Sequence, residues 1–464
     1  GIFSTNCHQC VEVLFAVAKA GGVLVPFNYR LKEEEAKGLL DHSEVTTLFF
    51  CERYWDLIQS LRSNLSTVRR FICFERGTKD LPYYEDLISD ESIDEPSVEA
   101  GDLDTALILY TSGTTGFPKG VMLSHRHIVV RIRTRDMDIF KLSEGEKSLM
   151  VVPHYHTAGV QGILKYVNRP MTMVIMRQFE TGAFLEAVNK ERINVCTLVP
   201  TMIKRIIDSP DLNRYDLSSL RQIRYGTAPM SPELLGKAMA LFPNASFTQG
   251  YGMTEGSATT LSVEDHQLEG PPDEYQKKLK RLRSVGQAIK DMRIKIVDED
   301  DEELPLGEVG KILIKGPALL TGYWKDSEAT REAIRDGWLN TGDLGFLDED
   351  GYLFIAGREK DIIIRGGENI APVEIEAVVE SHPKVSEAAV IGVPDPEWGE
   401  VVRAVVVTKE GVEITEDEVI AFCDERLASY KRPASVVFTD SIPKNPIGKI
   451  LKRVLREQFG GEGK

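Results

Sequence analysis

From residue 11 to about residue 260 the chain alternates two hydrophobic rhythms. Stretches with apolar residues three or four apart, such as Val11, Leu14, Phe15 and Ala18, predict amphipathic helices. Between them stand short apolar runs at 47–50, 106–109, 149–152, 173–175 and 195–199, the pattern of strands covered on both faces. Strands separated by helices predict crossovers, and hence mostly parallel sheets covered by helices. Ser231-Pro232-Glu233 puts a capping hydroxyl, a first-turn proline and an early acid in order, which marks a helix start. Residues 271–280 are polar and predict a surface loop. Then the texture changes. Residues 284–357 read as short strands and turns, with a hairpin reversing around Asp348 to Gly351. Beyond Glu359 a compact α+β unit is predicted, with helices at 373–381, 415–429 and 451–458 and strands at 388–392, 401–407 and 435–438. Its middle helix opens on a capping box of Thr415 and Glu418. The expected fold class is therefore α/β with a smaller α+β unit, divided into domains 1–357 and 358–464 near Arg358–Asp361.

Composition narrows this picture. A chain of 464 residues exceeds what one hydrophobic core serves, so at least two domains are expected. Hydrophobic content of 42% and charged content of 28% are those of an ordinary globular protein. No apolar run is long enough to cross a bilayer and no signal peptide opens the chain, so no transmembrane segment and a cytoplasmic location are expected. The chain begins mid-pattern at Gly1, which suggests that a natural N-terminus is missing. A net charge of −16 argues against nucleic acid as a partner. Residues 429–464 run the other way, with eight Lys/Arg against three Asp/Glu, which suits a small polyanion or a solvated helix face equally. Six scattered cysteines fit a reducing compartment. Cys7 and Cys10 have zinc-like spacing, but no second ligand pair lies nearby and an apolar helical pattern follows, so core packing is expected of them.

The candidate chemistry starts at Tyr110-Thr-Ser-Gly-Thr-Thr-Gly-Phe-Pro-Lys-Gly120. Two apolar runs bracket it. Gly113, Gly116 and Gly120 permit tight turns, Thr111, Ser112, Thr114 and Thr115 supply hydroxyls, and Lys119 adds a cation. Inward-turned N–H groups and hydroxyls of this kind can hold phosphate oxygens. The spacing is not that of the common NTPase loop. Five further segments follow in order. They are Gly226-Thr227-Ala228-Pro229, Gln249-Gly250-Tyr251-Gly252-Met253-Thr254-Glu255, Thr341-Gly342-Asp343, Gly357 to Asp361, and Pro443 to Ile450. Singly most are weak signals; their order along one chain is specific.

In these six segments the chain resembles the adenylate-forming superfamily of acyl-CoA synthetases, carrier-protein adenylation domains and luciferases, from near residue 10 to near residue 455. The resemblance implies a large N-terminal domain of two helix-covered sheets plus a small barrel, and a smaller mobile C-terminal domain with the active site between them. It implies that Thr111 to Lys119, including Ser112, Gly113, Thr114, Thr115 and Gly116, wrap the β- and γ-phosphates of ATP. Gly226 to Pro229 and Gln249 to Gly252 would border the adenine, with Tyr251 beside its ring and Thr254 near the α-phosphate. Thr111 and Glu255 would help to bind Mg²⁺, and Asp343, assisted by Arg358, would accept the ribose hydroxyls. Lys360 sits at the hinge position, and Lys449 would bridge the substrate carboxylate and the α-phosphate. Gly366 and Gly367, in Arg365-Gly-Gly-Glu-Asn-Ile370, would let the pantetheine arm of coenzyme A pass. That strip lacks the lysines and aromatic of the plant hydroxycinnamate ligases and looks more like bacterial fatty-acyl-CoA ligases. His156, in Pro153-His-Tyr-His156, would gate the acid pocket or serve as a core histidine. The Gly-rich turn usual near residues 168–170 is absent. The implied function is an acid–thiol ligase using ATP, a carboxylic acid (fatty first, aryl second) and coenzyme A, with a homodimer left open. Loading of a carrier protein and a luciferase-like oxygenation are the rival readings.

Overall fold

The computed structural model describes residues 1–76, 81–111, 117–136, 145–167, 171–228, 230–445 and 448–461. The roles expected of Ser112, Gly113, Thr114, Thr115, Gly116, Pro229 and the 168–170 turn lie outside the described residues.

The short apolar runs form the strands expected of them, some shifted by one or two residues. Thr47–Phe50, Thr105–Thr111, Lys147–Met150, Thr172–Ile175 and Val195–Leu198 are all in sheets. A seven-stranded sheet runs parallel through Thr172–Ile175, Lys147–Met150, Val195–Leu198, Gln222–Gly226 and Ser246–Gly252, then antiparallel through Ser257–Leu261 and Gln287–Ala288. Phe184, Leu185, Val188, Ile203, Ile206 and Ala238 from the covering helices lie buried against it. Two three-stranded sheets, one parallel and one antiparallel, are linked by backbone bridges from Ile2 to Pro26 and from Leu24 to Leu107. The antiparallel one holds the hairpin of Thr105–Thr111 and Lys119–Ser124. A five-stranded antiparallel sheet built on Arg293–Val297, Gly310–Lys315 and Trp338–Leu347 completes the large N-terminal domain, and it includes the hairpin turning at Asp348 to Gly351.

The smaller C-terminal domain is a separate five-stranded sheet centred on Val385–Asp395 and Gly399–Thr408. Helices Pro372–Glu380 and Glu416–Asp424 bury Ile375, Val379, Val419 and Cys423 on one face. Helix Lys452–Phe459 buries Leu455 against Ala389, Ile391 and Val405 on the other. Each fully buried aliphatic side chain contributes about 1.5–3 kcal/mol, so two apolar faces on one sheet explain why so short a segment holds together.

Three sequence expectations need correction. Residues 271–280 are not a loop: Pro272–Arg281 is a helix. It has no buried residue, so no apolar stripe announces it. Its signals are Pro272 in the first turn, Asp273 and Glu274 at the N-terminal end and Lys278, Lys280 and Arg281 at the other, each complementing the macrodipole. A further helix, Ser327–Ala333, lies within the segment read as strands and turns, capped by the Asp326 carboxylate on the Ala329 N–H. The capping box of Thr415 and Glu418 forms as expected, but its helix ends at Asp424 instead of near 429. Cys7 and Cys10 are both buried in the core, 3.3 Å apart through sulfur.

Candidate active site

Four parallel neighbours of the seven-stranded sheet end on the same side, and three of them deliver a candidate segment there while the fourth leads to Thr201. Lys147–Met150 leads to His156, Val195–Leu198 to Thr201, Gln222–Gly226 to Thr227 and Ala228, and Ser246–Gly252 to Thr254 and Glu255. The carboxyl edge of such a sheet is the usual place for a ligand. Gly226 and Gly250 are direct cross-strand partners, so the two segments expected around adenine lie side by side. Gly226 has φ +155°, and a Cβ there would stand 2.5 Å from the Gly250 carbonyl oxygen. Thr227 follows with φ +70°, a left-handed conformation that β-branched residues rarely hold.

The phosphate-loop hairpin meets the acidic end of the 249–255 segment. Thr111 and Lys119 are cross-strand partners at its mouth. Glu255 is buried, with its Oε1 accepting from the Tyr323 hydroxyl at 3.0 Å. The Lys119 ammonium lies 5.1 Å from the Tyr323 ring centroid. Burial pushes the Glu255 carboxyl above its usual range, and the cations Arg358 and Lys119 oppose that rise. A buried carboxylate with one hydroxyl donor, facing a threonine and a lysine, fits a hard cation that arrives with phosphate oxygens. Among the described residues no group of three or more His, Cys, Asp or Glu side chains could hold a metal alone.

Asp343 is the second anionic centre. Its Oδ1 accepts from Arg358 Nε at 2.8 Å and its Oδ2 from the Tyr251 hydroxyl at 2.6 Å. Asp343 and Arg358 are cross-strand partners in the hairpin, and Thr341 accepts the Asp343 N–H at 3.1 Å. Burial, and then the neighbouring Asp343 charge, raise the Tyr251 phenol well above its ordinary value, so it stays a neutral donor. Tyr251 thus comes from the 249–255 segment, while Asp343 and Arg358 come from strands about 90 residues later.

The tail brings Lys449 to this place. Lys444 and Ile450 bridge antiparallel, and Asn445 accepts the Lys449 N–H at 2.8 Å. Gly448 has φ +81°, and a Cβ on it would lie 2.7 Å from Thr201 Cγ2, so only glycine lets this turn seat on the large domain. Lys449 keeps much of its surface open to solvent but lies in a cleft with protein on most sides. Desolvation there, followed by repulsion from Arg358, lowers its ammonium to about 8, against an opposing pull from Asp343. Lys360 follows Arg358 in the short helix Glu359–Asp361, where burial also lowers its ammonium. Arg456 of the last helix grips Asp361 at 2.9 Å beside it.

His156 lies close behind the centre. Its Nε2 is buried with no hydrogen-bond partner among the described residues, and burial lowers the ring to about 4, so it is neutral. His154 beside it also has a buried Nε2 with no partner among the described residues, while its Nδ1 meets the Asn6 side chain at 3.3 Å. Thr157 donates to Thr254 at 3.0 Å. Gly366 and Gly367 are not brought to the centre. They form the turn between strands Ile363–Arg365 and Glu368–Ile370, with φ +58° and +89°, and a Cβ on Gly366 would strike the exposed Trp398 ring. Sequence reading missed Tyr323, Thr157 and Thr201. No motif marks them, because their roles depend on contacts with residues 68, 97 and about 250 positions away.

Known proteins resemble this chain over most of its length. The family description "AMP-binding enzyme" matches residues 1–324, and "AMP-binding enzyme C-terminal domain" matches 374–449. The fatty acid–acyl-carrier-protein ligase ScoC of Streptomyces coeruleorubidus is 34% identical over 97% of this chain and 85% of its own. A feruloyl-CoA synthase of an Amycolatopsis species is 36% identical over 98% and 87%. The ATP-bound structure of MatB from Rhodopseudomonas palustris superimposes with a TM-score of 0.88 at 31% identity, covering 99% of this chain and 88% of that one.

Proposed function

The chain belongs to the AMP-binding enzyme family, an enzyme family of acyl-CoA ligases that uses ATP, and from that premise we propose that it is an AMP-forming acid–thiol ligase. In this reading a carboxylic acid is adenylated with release of pyrophosphate, and coenzyme A then displaces AMP. A fatty acid is the favoured substrate and an aryl acid the second. ScoC, named for a carrier-protein acceptor, supports the alternative in which a carrier protein takes the acyl group.

The observation that carries the proposal is the seating of Gly448 on Thr201, which delivers the Lys449 ammonium to the Asp343–Arg358 pair. A carboxylate is a poor electrophile, and it repels a triphosphate. A cation positioned between them offsets that repulsion as charge gathers in the transition state. In the proposed complex Thr111 and Lys119 hold the outer phosphates, Gly226 to Ala228 and Gln249 to Gly252 frame the adenine, and Asp343 receives the ribose. Thr254 lies near the α-phosphate, steadied by Thr157, and the uncharged ring of His156 lines the acid's path. Glu255 and Thr111 would hold Mg²⁺, whose bound charge neutralises phosphate oxygens. For the second half-reaction the C-terminal domain would pivot near Lys360 and bring Gly366 and Gly367 to the pantetheine arm. Among the described residues no helix is long and apolar enough to cross a membrane.

The direct test is pyrophosphate release from ATP across a panel of acids, with and without coenzyme A. Acid-dependent release plus an acyl-CoA product supports the ligase. Adenylate accumulation that only a carrier protein discharges favours the alternative.

A pH profile tests the role of Lys449 separately. The ammonium is the working form and its free-enzyme value is lowered to about 8, so it is charged below that pH and lost above it. The kcat/KM for acid-dependent pyrophosphate exchange should therefore fall as pH rises through about 8, approaching tenfold per unit. Lys449→Arg, which stays charged, should lose this alkaline limb. An unchanged limb in that variant would assign it to another group.

A further inference from the structure

Behind the proposed reaction centre lies a narrow cavity that the chemistry above leaves unexplained. Three elements run to it from the centre. On strand Thr105–Thr111, Leu109 shares a face with Thr111, because side chains alternate. On helix Thr157–Val167, Gln161 lies one turn beyond Thr157. On strand Gln222–Gly226, Arg224 stands two residues before Gly226 and also lines the cavity. Along the strands, the lining residues Leu109 and Arg224 each stand two residues, about 7 Å, from Thr111 and Gly226.

Its inner end holds Arg131, from helix His125–Asp136, only 7% exposed. Among the described residues the hydrogen-bond partners of Arg131 are neutral. Nη1 donates to His127 Nε2 at 3.1 Å, Nη2 donates to the Ser257 hydroxyl, and Nε is buried with no partner among them. His127 donates its Nδ1–H to the Leu319 carbonyl at 2.8 Å, which leaves Nε2 as the acceptor. Burial lowers that ring to about 3, so it contributes no charge of either sign. Among the described residues lining the cavity there is no aspartate or glutamate, while there is a second arginine, Arg224. Burial and repulsion from Arg224 lower Arg131 to about 9, still cationic at neutral pH. A buried guanidinium with only neutral partners is costly unless an anion joins it. The void beside it is about 20 Å³, room for about one water, so an acyl chain reaches the guanidinium only as the apolar lining side chains part.

We infer that this cavity is the far end of the acid channel and that Arg131 receives a second carboxylate there, so that the substrate is an aliphatic dicarboxylic acid. The inference rests on the ligase reading and refines its fatty-acid preference to a chain ending in a distal carboxylate. The test compares acid-dependent pyrophosphate release for matched pairs: hexanoate and adipate, octanoate and suberate, decanoate and sebacate. At the best length the wild-type enzyme should prefer the diacid by tenfold or more in kcat/KM. Arg131→Met, of similar length and apolar, should shrink that ratio on the order of 100-fold, the usual scale for losing one partner of a buried charge pair. The wild-type ratios decide the matter even if the variant folds poorly. Monoacids or hydroxylated aryl acids used better than every diacid would overturn the inference and leave the ligase reading intact. Pyrophosphate release with no acid at all would overturn both.

Discussion

Replacing Lys449 with alanine should lower acid-dependent exchange of pyrophosphate into ATP by about 10²–10³-fold, the usual loss when one pre-positioned stabiliser of transition-state charge is removed. The expectation is specific to the ammonium. The backbone of the tail turn is held by Asn445 and by the seating of Gly448 on Thr201, neither of which needs the Lys449 side chain. Lysine suits the task as a compact point charge on a flexible stem, able to enter between two anions and withdraw. Thioester formation from supplied acyl-adenylate should largely survive in the same variant, because that step starts after the two anions have reacted. Gly367→Leu should show the converse, sparing adenylation and blocking transfer to coenzyme A. Among the described residues nothing lies within 4 Å of where a Gly367 Cβ would stand, so the cost of leucine there is confined to the local turn strain of its φ of +89°. Equal loss of both half-reactions in Lys449→Ala would contradict the two-step assignment, and collapse of adenylation in Gly367→Leu would remove the strip from the thiol's route.

Asp343→Ala should raise the KM for ATP roughly 10- to 100-fold, since a hydrogen bond to a charged acceptor contributes about 1.5–3 kcal/mol. The KM for the acid should move far less. Both Asp343 oxygens are already engaged, by Arg358 and by Tyr251, so the carboxylate is oriented before any ribose arrives. The variant should also melt at a lower temperature, because the Tyr251 hydroxyl loses its acceptor. Tyr251→Phe separates the two effects: it removes the hydroxyl but keeps the ribose acceptor, so it should disturb ATP binding less than Asp343→Ala. Equal rises in the KM for ATP and for the acid would mean that Asp343 orders the whole cleft, without a particular role at the ribose.

Much of the fold was legible because its cues are local. The capping hydroxyl of Ser231, the box of Thr415 and Glu418, and the hairpin at Asp348 to Gly351 all form within a few residues of their signals. Helix Pro272–Arg281 was missed for an equally physical reason. It is held by end charges and an initiating proline with no buried face, and hydrophobic periodicity is silent on such a helix. The helix after Thr415 was read too long because its apolar pattern outlasts it: Leu427 still packs on the same core, beyond the helix end at Asp424. In the site, Glu255, Asp343, Arg358 and Lys449 could be named from ordered motifs. Tyr323 and Thr157 could not, since each acts through one hydrogen bond to a residue far along the chain.

The order of residues alone determined which chemical groups this protein owns: a hydroxyl- and glycine-rich turn, two separated acids and a late lysine. Side-chain type and local spacing carry that information. Only the tertiary structure decided that the acids are buried, that Asp343 is clamped by Tyr251 and Arg358, and that Arg131 meets only neutral partners among the described residues beside a small cavity. These contacts join residues 68, 92 and 126 positions apart, and no local pattern encodes which segments will meet.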